Sequence, residues 1–413
     1  MKKQFLFIAF TACCVLLTTS KIQAQDVTKL LFSKMDMAPQ YELWDGTTTM
    51  LMGFTELMMA PVQVPSPTLV FTEGDSVELK LRNMSQFAPH TIHLHGLDVD
   101  QQNDGVPHLS FVVDHAETRS YNFKAQHPGT YIYHCHVFSS LHVQAGMYGL
   151  LIIKPADGSN TTWTGGYAYD QEYAWMMSEI DIAWHDDSII NEVYDTAAMM
   201  HFIPEYHPEY FLVNGKSENQ LSDNSIAING QVNQEIYLRL ANIGNYGNRI
   251  VFPSEMNATI VSSDGRPLPN VEENDTVVLT PGERYGVMLY PDAETNDSIY
   301  VEYFDLNTGL VKNTQSAPVT ISGFYGIEND KNTIDFRVYP NPANDFIVVD
   351  SDHEKTFTTK IHTFDSSGRL MNTVLTSNSK SEIIHTGNWP NGTYHIQLEN
   401  RKGMSSRKII VKH

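Results

Sequence analysis

The chain has 413 residues, with 27 Lys and Arg against 48 Asp and Glu, for a formal net charge of −21. That length allows two or three domains of ordinary size, and that charge excludes nucleic acid and anionic membrane surfaces as natural partners. Hydrophobic residues make up 41% and aromatics 11%, enough to bury sizeable cores. Short Val/Ile/Tyr/Thr runs between Gly, Pro, Asn and Asp predict an all-β chain.

The N-terminus reads as a signal peptide over residues 1–24. Lys2 and Lys3 form the charged region, Phe5 to Leu17 an apolar core too short to span a bilayer, and Ser20 to Ala24 a cleavage region. Cys13 and Cys14 leave with it, so the exported protein keeps only Cys135 and has no internal disulfide. A lone thiol in an oxidising compartment is a liability unless something occupies it.

A diverged internal repeat follows. Glu73 to Asn83 is an alternating strand with its turn, and Asn233 to Asn242 echoes it. Val112-Val113 with Glu117 and Tyr121 recurs at equal spacing as Val278-Leu279 with Glu283 and Val287. Two β-sandwiches of one type, over 25–158 and 160–325, account for the repeat. A linker near Gly326–Thr333 leads to a third, small β segment over 334–413. It opens Val338-Tyr339-Pro340-Asn341-Pro342-Ala343, carries turns at Asp365 to Arg369 and Trp389 to Tyr394, and ends in basic Arg407 to Lys412. In these features it resembles the C-terminal sorting domain of type IX secretion. The resemblance implies export through the periplasm to the cell surface or beyond, with that machinery as a partner.

The histidines cluster. His90-Thr91-Ile92-His93-Leu94-His95-Gly96 is one group, and His134-Cys135-His136 with His142 and Met147 is the other. Side chains alternate faces along a strand. His93 and His95 therefore share a face and His90 takes the other, while His134 and His136 point away from Cys135. Pairing the segments sorts the donors into two sets. Cys135, His90, His142 and Met147 make two imidazoles, a thiolate and a weak thioether, the donors of a blue-copper centre. His93, His95, His134 and His136 converge on the opposite side and suit further copper. Zinc also takes Cys and His, but the thioether and the second histidine set favour copper. His108, His115, His127, His185, His201 and His207 fit neither set and read as surface or loop residues. Of the 17 Met, the pairs Met35/Met37, Met50/Met52, Met58-Met59, Met176-Met177 and Met199-Met200 read as core filling or surface residues rather than Cu(I) donors.

HTIHLHG, NDGVPH and GTYIYHCHVFSSLHVQAGMYGLLI resemble the motifs of the multicopper oxidases (laccase-like) and, more distantly, of copper nitrite reductases, over about 65–325. The resemblance implies two cupredoxin-like Greek-key sandwiches ahead of the sorting domain. It implies a type 1 copper on His90, Cys135, His142 and Met147, and type 2/type 3 copper on His93, His95, His134 and His136. It also implies Asp104 as a proton relay, and Cys135 with its neighbours as the path for electrons that enter near an exposed His142. The expected activity is oxidation of a small donor, phenolic or a metal ion, with dioxygen as acceptor. A non-enzymatic electron carrier and a nitrite reductase remain as alternatives, the last disfavoured by His93 where nitrite reductases place an Asp. The sequence departs from the pattern twice. Five residues separate His136 from His142 where laccase-like domains have three. The second sandwich has Ile243 to Asn248 and Ile299 to Tyr303 where the first has its histidines. A complete trinuclear cluster in that family takes eight histidines and this chain supplies four. Either a homo-oligomer completes the cluster, or the second site holds a single copper or none.

Overall fold

The computed structural model describes residues 24–413 except 36–39, 87, 187–188, 190–202, 324–333, 335, 352–358, 367–368, 377–380 and 401–402. Residues 1–23 of the expected signal peptide and the 326–333 linker lie outside the described residues, as do Met37, Met199, Met200 and His201.

The first sandwich contains β1 (Asp26–Met35), β2 (Tyr41–Glu42), β3 (Thr48–Thr49), β4 (Met52–Thr55), β5 (Ser66–Thr72), β6 (Ser76–Asn83), β7 (His93–His95), β8 (Thr118–Lys124), β9 (Gly129–His134) and β10 (Tyr148–Lys154). One sheet runs β4-β1-β6-β8 and the sheet facing it runs β5-β10-β9-β7. Alternation drives the assembly. Along β6, Val77, Leu79 and Leu81 are buried while the residues between them are partly exposed. They meet Leu31, Phe71, Tyr121 and Leu151 in one core. A single short helix, α1 (Ser139–Gln144), follows β9.

The second sandwich contains β11 (Gln171–Ile180), β12 (Tyr210–Val213), β13 (Ile228–Gln231), β14 (Ile236–Asn242), β15 (Gly247–Val251), β16 (Thr259–Ser263), β17 (Arg266–Glu273), β18 (Thr276–Leu279), β19 (Arg284–Leu289), β20 (Thr295–Phe304) and β21 (Val311–Ser322). Its sheets run β12-β11-β14-β19-β16-β17 and β13-β21-β20-β15-β18. The plan repeats that of the first. β1 runs parallel to β6, as β11 does to β14. β5 runs parallel to β10, as β13 does to β21. Among its described residues the third unit packs seven short strands, from Phe336–Tyr339 to Gly403–Val411, around Ile347, Ile361, Ile396 and Ile409.

β9 is what positions the site. All six of its residues are buried, which an antiparallel strand with one wet face would not show. One face, with Tyr131 and Tyr133, enters the first core. From the other face Ile132 joins Tyr148 and Leu150 against Met176, Ile180, Leu212, Ala241 and Ile243 of the second sandwich. Two charged groups reinforce that seam. Arg239, fully buried, bonds Glu172 Oε1 through Nε at 2.5 Å and Thr130 Oγ1 through Nη1 at 3.0 Å.

Candidate metal centre

Cys135 follows directly on β9, and its side chain enters the first core along with Tyr131 and Tyr133. Its amide donates to Met147 O at 3.0 Å, which pins the strand end to the chain entering β10. His90 arrives through a bridge to Val113. Asn83, at the end of β6, secures that approach, since its Nδ2 donates to Ala88 O and Val113 O. His142 arrives on α1, so the residues added between His136 and His142 are used as a helical turn. Phe138 starts that turn in the left-handed conformation, φ 43°, and its ring lies edge-on to His142 at 6.1 Å.

These elements bring Cys135 Sγ to 3.2 Å from His142 Nδ1 and 3.7 Å from His90 Nδ1. The three donors lie within 4.8 Å of one another and all are buried. Met147 is fully buried in the same core. One expectation needs correction. His142 is 0% exposed rather than solvent-facing, because α1 turns it inward against the His90 ring, with the Phe138 ring edge-on to it. Burial depresses His142 to about 3 and His90 well below its ordinary value, so both imidazoles are neutral. Burial also pushes the Cys135 thiol up to about 11. A thiol so placed keeps its proton until a cation replaces it.

On the opposite face His93 pairs with His134 across the β7–β9 ladder, and His95 lies two pairs along, opposite Ile132. Their donor atoms form a second group within 4.8 Å. The rings of His93 and His134 are each aimed by a backbone carbonyl, which selects the nitrogen left for a ligand. His93 Nδ1 donates to Asp104 O at 2.7 Å, leaving Nε2. His134 Nδ1 donates to Cys135 O at 3.0 Å, also leaving Nε2. His95 turns Nδ1 toward His134 Nε2 at 3.4 Å. The Asp104 carboxylate stands 3.5 Å from His93 Nδ1. Gly105 beside it has φ 81°, and a Cβ there would strike the Ile92 backbone. His136 lies next to the group, its ring 5.3 Å from His93 and 5.9 Å from His134, but outside the close set of three donors. Its amide donates to Thr91 Oγ1 at 3.0 Å.

The donor chemistry fits copper on the Cys135 side: one sulfur and two neutral imidazoles in a dry core. The histidine side fits one metal ion held by three imidazoles. It does not fit a complete trinuclear group, because among the described residues the second sandwich presents Gly282 and Arg284 there, not histidines. Of the remaining histidines, His108 is exposed, and His127 and His207 stand beside Asp98 and Glu205. His115 Nδ1 bonds Ser85 O. His185 is a second correction. It is 3% exposed, with Nδ1 donating to Met50 O at 2.7 Å, and serves as a core connector. Sequence reasoning missed Asn83, Thr91 and Arg284. Only Asn83 left a signal, through its repeat as Asn242.

Two facing sheets with one thiol and its imidazoles at one end define a cupredoxin-type metalloprotein. Residues 43–158 and 183–321 each match the multicopper oxidase family, and residues 337–412 match the secretion system C-terminal sorting domain. This chain belongs to the multicopper oxidases, a copper-binding family, and carries a sorting domain that directs it to the cell surface or the medium. It is similar to copper resistance protein A of Escherichia coli, 34% identical over 152 residues, or 36% of this chain and 23% of that protein. It is also similar to the copper-containing nitrite reductase of Alcaligenes xylosoxydans xylosoxydans, 33% identical over 173 residues, or 40% of this chain and 49% of that one. The chain thus spans a quarter to a half of these relatives' length. In structure it resembles the blue copper oxidase from Nitrosomonas europaea, with a TM-score of 0.57, 26% identity, and coverage of 73% of this chain and 86% of that one.

Proposed function

We propose that this chain is an exported copper-dependent oxidoreductase that oxidises a small donor, phenolic or a metal ion, on the Cys135 side and reduces dioxygen on the histidine side. One observation carries the reading. Two donor sets lie on opposite faces of one strand end, and the peptide groups joining His134, Cys135 and His136 are the covalent link between them. Copper, when bound, would supply the one-electron chemistry that no side chain here supplies alone. The chain's own part is to hold the donors rigidly and keep water out. In this reading His90, Cys135, His142 and Met147 hold a type 1 ion, and His93, His95, His134 and His136 form the second set. Asp104 orients His93 through its carbonyl and moves protons through its carboxylate. Four histidines in place of eight support a homo-oligomer that brings a further surface to the second set.

Copper counting on the full chain, with native mass and EPR spectra, tests this. A blue signal, a second copper signal and oxygen uptake with a phenolic or cuprous donor are expected. A blue protein without oxygen uptake would leave an electron carrier, and a one-copper monomer would remove the shared cluster. The grouping of His93, His95 and His134 alone also favours a mononuclear reading related to nitrite reduction, for which nitric oxide release from nitrite is the assay.

A further inference from the structure

The second sandwich sends a cation, not a ligand, to the histidine set. Gly282 sits on the turn from β18 into β19, and Arg284 is the first residue of β19. A Cβ built on Gly282 would lie 3.0 Å from His95 Cε1. Arg284 is almost wholly enclosed, its side chain 4% exposed, and its Nη2 lies so close to Gly96 that a Cβ there would overlap the guanidinium. Its position is over-determined. Nη1 donates to Gly282 O at 2.6 Å and pairs with Asp264 at 2.9 Å, while Nε reaches Thr130 O at 3.4 Å. No hydrogen bond engages Nη2 among the described residues.

The matching turn of the first sandwich shows that this is not generic. Glu117 and Glu283 brace the two turns alike, each accepting from the amide three residues back. Ala116 and Gly282 are both left-handed, and their amides donate to Asn83 O and Asn242 O respectively. Two residues on, the first sandwich has Thr118 and the second has Arg284.

The charge count follows, resting on the reading of His93, His95 and His134 as a copper site. Three neutral imidazoles leave a divalent ion with its full charge, and Arg284 adds another beside it. The carboxylates acting on Arg284 are Asp264, paired with it, and Glu283, which is engaged by the Thr280 amide, while Asp104 lies 3.5 Å from His93 Nδ1. A site with that balance in a poorly solvated seam attracts anions.

We propose that Arg284 makes the histidine site a receptor for a small inorganic monoanion, which takes a ligand position beside the three imidazoles and is held there by the guanidinium. Arg284 is then a specificity residue supplied by a sandwich that carries no metal donor.

The test is an azide titration of the copper-loaded full chain at fixed ionic strength, followed by EPR and absorption, with neutral imidazole titrated in parallel. Arg284→Gln is expected to weaken azide about tenfold and to leave imidazole unchanged. Arg284→Lys should recover most of the azide affinity. Asp264→Asn, which frees the guanidinium, should tighten azide and keeps the proposal testable where Arg284→Gln does not fold. The blue absorption of the Cys135 site reports an intact fold throughout. Equal azide binding by wild type and Arg284→Gln overturns the proposal, and so does parallel loss of azide and imidazole, the mark of a purely structural arginine. Wild type with a second copper signal that azide leaves unchanged also overturns the proposal, whereas wild type with no second copper signal at all would instead remove the underlying copper reading of the histidines.

Discussion

β6 of the first sandwich ends at Asn83, and β14 of the second ends at Asn242. Each asparagine accepts from the amide two residues on, Ser85 or Gly244, and donates to a carbonyl of the following loop, Ala88 or Tyr246. Beyond those matched braces the two part. His90 faces Val113 in the first, and Asn248 faces Leu279 in the second. His134 pairs with His93, and at the matching place Tyr300 pairs with Val251. One residue further on, Cys135 corresponds to buried Val301. A sandwich of this plan therefore needs no metal to close its core. The donors are an addition at one end, and their seats in the second copy are filled by Asn, Tyr and Val. The comparison teaches that scaffold and site are separable here, and that the second copy contributes walls instead of ligands.

The sharpest way to break that comparison is at the sulfur. Cys135→Ser should abolish the blue absorption of the copper-loaded protein entirely, whereas Val301→Ala should leave colour untouched and cost about 2 kcal/mol of stability as a core truncation. An unchanged spectrum in Cys135→Ser would place the copper elsewhere.

Acid separates the two copies next. Burial holds His134 and His142 near 3, and burial with the Arg284 charge holds His95 near 4. In the unfolded chain each returns to about 6.5. Folded values are depressed, so the unfolded state takes up protons first, and metal-free stability falls as pH drops from about 6.5 toward 3. Each histidine contributes a slope of about 1.4 kcal/mol per pH unit within its window. Glu179, in the second sandwich, carries the opposite sign. Burial raises it to about 7 although Asn245 N, Tyr246 N and Tyr206 donate to it. Its contribution is complete below about 4.5 and is lost as pH rises through 7. Melting curves of metal-free wild type and Glu179→Gln between pH 4 and 8 read both slopes. A flat profile below 6.5 would mean that the histidines are not buried as neutral rings.

A third perturbation acts on the seam that joins the copies. Glu172→Gln removes the carboxylate shared by Lys154 and fully buried Arg239. Breaking one side of such a pair leaves a charge without compensation, and a loss of about 3 kcal/mol is expected. Denaturant unfolding of wild type and variant measures it, and a loss below about 1 kcal/mol would show that the seam rests on its apolar contacts alone.

Much of this was legible beforehand, for a physical reason. Strand parity is a property of the backbone, so HTIHLHG and HCH announce which histidines can share a face without any knowledge of the fold. The repeat announced two copies of one sandwich because strand-and-turn spacing survives divergence. What could not be read came from contacts between distant segments. His142 looked like a solvent-facing residue because nothing in HCHVFSSLH reveals that Ser139–Gln144 coils into a helix that turns it inward. His185 looked like a loop residue because its partner, the Met50 carbonyl, lies 135 positions away. Arg284 carries no motif at all, and its meaning depends on a packing of the two copies that sequence spacing does not encode.

Asn248 provides the finest test of the comparison. It is fully buried, and neither Nδ2 nor Oδ1 has a hydrogen-bond partner. At the matching ladder position His90 also leaves Nε2 unbonded, but its Nδ1 faces Cys135. An unsatisfied buried amide costs free energy that an apolar side chain of similar size does not. If the second copy is only a wall, nothing is lost when the amide goes, and Asn248→Leu should be neutral or stabilising by about 1 kcal/mol in denaturant unfolding, with copper content and colour unchanged. His90→Leu should empty the Cys135 side. A destabilised Asn248→Leu protein, or one with altered copper content, would show that the second copy still uses this position, and the division into one working end and one wall would have to be withdrawn.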